Sequence, residues 1–287
     1  MNLTGHALNN RAARGRAMSD PRIELVIIDP QIDFMDLPGS KLPVPGAAKD
    51  MERLAAFVSR CGQKLSGIHV TMDSHHLMHI ANPMMWVNGL GENPAPFTTI
   101  TGKDVAGGLW LPNARMRQED QLWCRSYVQE LAQRGRYPLT IWPPHCLIGS
   151  AGHAVEHKLY QSLLDWEEKQ FAMVDYIAKG SNFRTEHYSA VMADVPDPAD
   201  PATGLNHFLL GLQVADVVLV AGEARSHCVA HTICDLAAHF DAANVGKLHL
   251  LEDCTSDVSG REQMGAEFVA EMKAKGMKLV DSVSFLL

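Results

Sequence analysis

Four reactive side chains lie at, or just beyond, apolar segments that are typical of β-strands. Asp29 and Asp73 each end such a segment, Lys179 closes a third, and Cys228 follows a fourth after a short turn. Because open parallel sheets bind their ligands at the carboxyl ends of the strands, we expect these groups at one edge of one sheet. A thiol, a carboxylate and an ammonium at one edge can act as nucleophile, base and electrostatic partner.

The thiol lies where a cysteine can become reactive. The turn GEARSH precedes Cys228, and a helical pattern begins there. Backbone dipoles at a helix N-terminus favour the reactive thiolate, and free amides there can hold an oxyanion. Each group also has an ordinary structural explanation: Cys228 as a core cysteine, Asp29 as a turn residue and Lys179 as a solvated side chain. The convergence of the three groups is what favours catalysis.

A second cluster contains a carboxylate and several imidazoles. Asp73 and His75 are two residues apart, His79 follows, and His145 lies far downstream in WPPHC. One carboxylate with two imidazoles is a ligand set for zinc, iron or manganese that leaves positions open for water or substrate. The spacing alone is also compatible with His75 and His79 as a surface pair.

Strand and helix patterns alternate along most of the chain, which predicts βαβ units, a parallel sheet and an α/β fold. The strand patterns cover 23–29, 66–73, 171–180, 215–222 and 247–254, and the terminal MKLVDSVSFLL can add a sixth strand. The helical patterns cover 49–63, 227–240 and 261–276. Residues 84–140 interrupt the alternation with a Gly/Pro-rich run and a helical pattern over 117–135. We interpret them as an insertion that forms a lid or a subunit contact.

Composition excludes several classes of protein. The 287 residues include 25 Lys+Arg and 33 Asp+Glu, for a formal net charge of −8, so there is no basic footprint for nucleic acid. No apolar run approaches the ~20 residues of a membrane-spanning helix. The 6 cysteines form no CxxC pair, which favours reduced thiols in the cytoplasm. We expect residues 1–20 to be a disordered extension and 21–287 to form one domain with the insertion.

Five segments, in this order, resemble the isochorismatase-like cysteine hydrolases, and within them most closely the nicotinamidases (pyrazinamidases). They are VIIDPQIDFM with LPVPGA, TMDSHHLMH, WPPHC with GSAG, KGSNFRTEHYSA, and GEARSHCV. The resemblance implies a three-layer α/β/α sandwich around a parallel sheet, assembled into dimers or tetramers. It also implies hydrolysis of nicotinamide to nicotinate and ammonia through a thioester, as in NAD salvage.

The resemblance assigns roles to individual residues. By it, Asp29, Lys179 and Cys228 are the catalytic triad, and the amides of Ala224 and Cys228 form the oxyanion hole, with a cis peptide between Glu223 and Ala224. It implies one divalent metal ion, for which zinc is favoured over iron or manganese. The metal ligands would be Asp73, His75 and His145, with His79 an optional fourth, and the walls for the pyridine ring would be Phe34, Trp142 and, less closely matched, Tyr188.

The turn before the thiol departs from the family pattern. Nicotinamidases typically carry a turn resembling GLATDYCV, whereas here Glu223, Arg225 and His227 precede Cys228. Charged residues at that point favour an alternative in which the same triad hydrolyses another small amide or a ureido compound. Vinyl ether hydrolysis needs no thiol and is disfavoured, and a catalytically silent binding protein is the remaining alternative.

Overall fold

The computed structural model describes residues 20–286, in which ten strands and seven α-helices are formed. In chain order the strands are β1 (Ile23–Ile28), β2 (Gly67–Asp73), β3 (Trp86–Val87), β4 (Thr99–Ile100), β5 (Leu111–Pro112), β6 (Leu139–Thr140), β7 (Asp175–Lys179), β8 (Val217–Gly222), β9 (Leu248–Leu251) and β10 (Lys278–Val280). The α-helices are α1 (Ala47–Cys61), α2 (Gly102–Ala106), α3 (Gln118–Gln133), α4 (His157–Gln170), α5 (His207–Leu210), α6 (Ala230–His239) and α7 (Glu262–Ala274).

Six strands form the central sheet, in the order β10-β9-β8-β1-β2-β7, and every neighbouring pair is parallel. All residues of β1 and β9 are buried, as expected for strands covered on both faces. The central strand β1 pairs with β2 on one side and with β8 on the other.

The helices cover both faces of this sheet because the chain winds in two directions from β1. It runs outward through β2 to β7, and later from β8 through β9 to β10. Right-handed crossovers place α1 and α4 on one face and α6 and α7 on the other. In agreement, α1 packs against α4, and α6 packs against α7. The predicted α/β/α sandwich with a parallel sheet is confirmed.

The two directions of winding diverge between β1 and β8. Asp29 follows β1, and Cys228 follows β8 after a short turn. Ligands of doubly wound sheets bind in the crevice at this topological switch point. The fold therefore brings a carboxylate and a thiol from distant parts of the chain to the position where a ligand is expected.

The element boundaries correct two expectations. The third sheet strand begins at Asp175, not at 171, because Phe171 ends α4 with a left-handed φ of 50°. Cys228 lies in a π-helical turn, Arg225–Val229, that precedes α6. Residues 1–19 of the predicted extension lie outside the described residues. Within 20–286, no helix is both long enough and apolar enough to cross a membrane.

The predicted insertion contains two small antiparallel pairs, β3 with β5 and β4 with β6, together with α2 and α3. Helix α3 packs against the segment that follows β7. Trp123 Nε1 donates to the Arg184 carbonyl at 2.7 Å, and the Tyr127 hydroxyl accepts from the Glu186 N–H at 2.9 Å. The insertion thus supports a loop that begins at Lys179. Whether it also forms a lid or a subunit contact stays a prediction.

Candidate active site

The three side chains of the predicted triad meet at the carboxyl edge of the sheet. Lys179 Nζ lies 2.7 Å from Asp29 Oδ2 and 3.6 Å from Cys228 Sγ. The same ammonium donates to the His187 carbonyl at 3.0 Å and lies 3.2 Å from Asp73 Oδ1. Lys179 is 3% exposed, so the alternative of a solvated lysine is wrong.

Thr71, which the sequence analysis did not single out, holds Asp29 in place. The Thr71 hydroxyl donates to Asp29 Oδ1 at 2.6 Å and accepts from the Asp29 N–H at 3.0 Å. Asp29 has a φ of 42°, in the left-handed region that non-glycine residues seldom adopt. In the sequence, Thr71 is an ordinary β-branched residue of a strand. Only the three-dimensional contact distinguishes it.

Burial sets the protonation of the triad. Burial raises the pKa of Asp29, against the opposing charge of Lys179. Burial also raises the pKa of the Cys228 thiol well above its ordinary value, with Lys179 again opposing. Burial and the charge of Asp29 thus oppose the thiolate that a helix N-terminus favours. Deprotonation of the thiol therefore depends on Lys179 and on the neighbouring Asp29 carboxylate, whose pKa is raised.

The turn before Cys228 presents backbone donors to the same place. The peptide bond between Glu223 and Ala224 is cis, as the resemblance implies. In the described part of the chain, the Ala224 N–H donates to no protein oxygen, whereas its carbonyl accepts from the amides of His227 and Val229 at 3.0 and 3.1 Å. An amide that is left without an acceptor beside a thiol can stabilise a developing oxyanion.

Two imidazoles converge on one carboxylate oxygen beside the triad. His75 Nε2 lies 2.8 Å, and His145 Nε2 3.2 Å, from Asp73 Oδ2. His75 Nδ1 lies 3.0 Å from the Gly180 carbonyl, and His145 Nδ1 lies 2.8 Å from the Pro143 carbonyl. Because a carbonyl only accepts, both Nδ1 atoms carry a proton, so Nε2 is the atom of each ring that is left to face Asp73.

This arrangement fits a divalent cation. With both rings neutral, the two Nε2 lone pairs and the Asp73 oxygen would repel one another unless a positive charge, carried by a proton or by a metal ion, lay between them. Burial alone would lower the pKa of His75, yet the Asp73 carboxylate raises it to about 9. The cluster therefore favours added positive charge, and Asp73, His75 and His145 together could hold a metal ion.

His79 lies beside this cluster, but hydrogen bonds to the backbone occupy both of its ring nitrogens. Nε2 lies 3.1 Å from the Thr185 carbonyl, and Nδ1 accepts from the Ala81 N–H at 3.3 Å. Glu186, which the sequence analysis missed, comes close to both His75 and His79. Its Oε2 is buried without a hydrogen-bond partner among residues 20–286, and burial raises the pKa of Glu186 to about 7.

A cavity opens between the Cys228 thiol and the candidate metal ligands Asp73 and His145. It is lined by Cys228, Asp73, His145 and Glu186 on its polar sides. All three predicted substrate-binding residues, Phe34, Trp142 and Tyr188, are among its aromatic walls. The Trp142 indole N–H donates to the Tyr188 hydroxyl at 2.8 Å, which fixes the two rings relative to each other. The space between a nucleophile and a candidate cation site is thus walled by aromatic rings and largely apolar.

Two charged residues of the turn do not face this cavity, which corrects the sequence interpretation. Glu223 is fully buried behind the turn and accepts from the Ser256 N–H at 3.1 Å. Arg225 points to Asp257, which accepts from the guanidinium Nε at 3.1 Å through both of its carboxylate oxygens. Of the three residues that distinguish this turn, only His227 lines the cavity. The argument for a more polar substrate loses its basis in Glu223 and Arg225.

Solved structures that resemble this chain include several nicotinamidases. The yeast nicotinamidase bound to the inhibitor nicotinaldehyde matches with a TM-score of 0.61 and 20% identity, over 90% of this chain and 99% of its own. The nicotinamidase/pyrazinamidase of Acinetobacter baumanii matches with a TM-score of 0.62 and 20% identity, over 93% of this chain and 100% of its own. The chain shares the fold of the nicotinamidases. The resemblance drawn from the sequence motifs is thereby confirmed at the level of the fold.

A third neighbour was solved with a metal ion. The Pyrococcus horikoshii pyrazinamidase in complex with zinc has a TM-score of 0.53 and 20% identity, over 91% of this chain and 99% of its own. No protein-family model matches the sequence, and no curated protein does. The likeness is therefore one of architecture across nearly the full length of the chain.

Proposed function

We propose that this protein is a metal-containing cysteine amidohydrolase that converts nicotinamide to nicotinate and ammonia through a thioester. One observation carries the proposal: Lys179 Nζ lies 2.7 Å from Asp29 Oδ2 and 3.6 Å from Cys228 Sγ, and Cys228 lines a cavity that Asp73 and His145 of the candidate metal site also line. The fold shared with nicotinamidases supports the same reaction.

The first half-reaction begins with transfer of the Cys228 proton to Asp29. The raised pKa of Asp29 makes this carboxylate a stronger base, and Lys179 stabilises the negative charge that moves to sulfur. The sulfur attacks the amide carbon, and the backbone N–H groups of Ala224 and Cys228 hold the oxyanion. When the C–N bond breaks, Asp29 returns the proton to the departing nitrogen, which leaves as ammonia.

The second half-reaction uses the same residues in the reverse order. Asp29, now ionised, takes a proton from a water molecule that attacks the thioester carbon. The C–S bond breaks, nicotinate is released, and the proton passes from Asp29 to the Cys228 sulfur. The resting thiol is regenerated, so each cycle consumes one amide and one water molecule.

The remaining cavity groups bind and orient the substrate. Phe34, Trp142 and Tyr188 present apolar surfaces that can pack against a planar ring and exclude water. Asp73, His75 and His145 would hold the metal ion, which when bound supplies a Lewis-acid anchor for the ring nitrogen. We propose zinc as this ion because two imidazoles and a carboxylate suit it, with iron and manganese as the alternatives.

Ammonia release from nicotinamide, measured with the zinc content of the same sample, tests the proposal. We expect turnover by the zinc-loaded protein and none by Cys228→Ala, which should retain its metal. Cys234→Ala is the matched control, because Cys234 lies in α6 and does not line the cavity. Amide hydrolysis that persists in Cys228→Ala would exclude the thioester. If the zinc-loaded wild type releases no ammonia from nicotinamide, the proposed substrate is wrong, and other small amides should be tested.

A further inference from the structure

Two buried polar side chains beside the catalytic base have no part in the proposed reaction. Gln31 and Asp33 alternate with Asp29 along the segment after β1, and they are 0% and 4% exposed. A buried amide or carboxylate is costly unless its hydrogen bonds are satisfied. Each side chain has a partner in the backbone at or next to a candidate metal ligand, Asp73 for Gln31 and Cys146 for Asp33.

Gln31 pairs with the main chain of Asp73. Its Oε1 accepts from the Asp73 N–H at 2.7 Å, and its Nε2 donates to the Asp73 carbonyl at 2.7 Å and to the His153 carbonyl at 3.0 Å. The last residue pair between β1 and β2 is Ile27 with Val70, so Asp73 lies beyond the backbone pairing of these two strands. There the Gln31 side-chain amide makes the hydrogen bonds that a neighbouring strand would make. These two hydrogen bonds to the Asp73 main chain fix the direction in which the Asp73 carboxylate leaves the backbone.

Asp33 holds the segment that carries His145. Its Oδ2 accepts from the Cys146 N–H at 2.7 Å, while its Oδ1 accepts from the Lys41 N–H at 3.2 Å. Cys146 has a φ of 46°, an unfavourable conformation for a side chain of this kind, so the backbone needs an external contact to keep it. The Cys146 carbonyl in turn accepts from the His75 N–H at 3.1 Å.

We propose that Gln31 and Asp33 are positioning residues for the metal ion. Gln31 fixes the backbone of the carboxylate ligand, Asp73. Asp33 fixes the backbone of Cys146, which follows His145 in the chain and accepts a hydrogen bond from the His75 N–H. Neither touches the cavity, so each acts through the ligand that it holds. The inference rests on the metal site of the proposed function, and it assigns the geometry of that site to one short segment after β1.

The affinity for zinc, measured by competition with a chromophoric chelator on metal-stripped protein, tests this role. Gln31→Met keeps the length of the side chain without its hydrogen bonds. Asp33→Asn keeps the shape, but its single oxygen cannot accept fully from both N–H groups. We expect each variant to bind zinc about 10–100-fold more weakly than the wild type, the usual effect of losing an outer-sphere partner. Gln161→Met on α4 and Asp50→Asn on α1 are matched controls that should bind normally.

The thermal midpoint of each metal-stripped variant separates positioning from a general loss of structure. Weaker zinc binding in a variant that is still folded supports the inference, and because the two substitutions break different hydrogen bonds, either one can decide it. Wild-type affinity in both variants would refute it. A wild type that binds no zinc would overturn the metal site and this inference together. A wild type that binds zinc but hydrolyses no nicotinamide would refute the proposed reaction and leave the affinity comparison decisive.

Discussion

Replacing Thr71 with valine should remove the hydroxyl that holds Asp29, the proposed base, against strand β2. Valine has nearly the shape of threonine and suits a strand, so the substitution removes the hydroxyl and little else. Asp29 then loses the donor to its Oδ1 at 2.6 Å and the acceptor for its N–H at 3.0 Å. The Lys179 contact to its carboxylate would remain, but its left-handed backbone, with a φ of 42°, would lose the hydroxyl that binds its N–H.

The size of the effect follows from these two bonds. A hydrogen bond to a charged group contributes about 1.5–3 kcal/mol, and an N–H left buried without a partner costs about 1–3 kcal/mol. Because the two terms share one hydroxyl and are not additive, we expect a loss of about 2–4 kcal/mol in the free energy of unfolding. A loss of about 2 kcal/mol at the transition state would lower kcat/KM about 30-fold.

Urea unfolding at fixed zinc concentration and ammonia release from nicotinamide measure the two quantities. Thr71→Ser is the matched control: it keeps the hydroxyl and loses one methyl group, which costs only about 1 kcal/mol of stability. It should therefore recover most of the activity. The reasoning is refuted if Thr71→Val keeps both its stability and its kcat/KM within twofold of the wild type, or if the serine variant is impaired as severely.

Three further predictions concern other parts of the site. A Cβ on Gly152 would lie 2.1 Å from Asp33 Cγ, so Gly152→Ala should weaken zinc binding in the chelator assay, whereas Gly211→Ala, with nothing within 4 Å, should not. Burial and Asp50 raise the pKa of Glu223 well above its ordinary value, so ionisation of this acid favours the unfolded chain and stability falls as pH rises. The free energy of unfolding of Glu223→Gln should therefore rise relative to that of the wild type, by up to about 1.4 kcal/mol for each pH unit above the ordinary pKa of glutamate. Urea unfolding at pH 5 and pH 8 measures this difference, and an unchanged difference would contradict the prediction. His145→Ala should raise KM for nicotinamide more than it lowers kcat and should lose zinc, and an unchanged KM with full metal content would remove His145 from the ligand set.

Local patterns predicted the six strands of the central sheet, three of the four helices that cover it and the reactive groups, whereas α4 was not predicted. The positions of Asp29, Lys179 and Cys228 at strand ends follow from the alternation of apolar segments, and the rule for parallel sheets brings them together. Contacts between distant segments could not be predicted in this way. Thr71 and Gln31 lie inside quoted motifs, but their residue types alone assign them no role, because their importance comes from the groups that fold beside them.

The directions of side chains were the least predictable property. Glu223 and Arg225 are next to the oxyanion turn in sequence, yet both point away from the cavity. Glu186 lies in a quoted motif, but only its position beside His75 and its unpartnered Oε2 mark it. A cytoplasmic location and assembly into dimers or tetramers stay predictions.

The switch point between β1 and β8 also determines when activity can arise during folding. The base and the nucleophile lie on neighbouring strands that are separated by most of the chain, and the lysine comes from β7 at the far edge of the sheet. Contacts between residues so distant in sequence form late, after local helices and turns. Neither half of the sheet contains a working triad, so a fragment would be inert however well it folded. Recovery of amide hydrolysis after dilution from urea should therefore lag behind recovery of helical content.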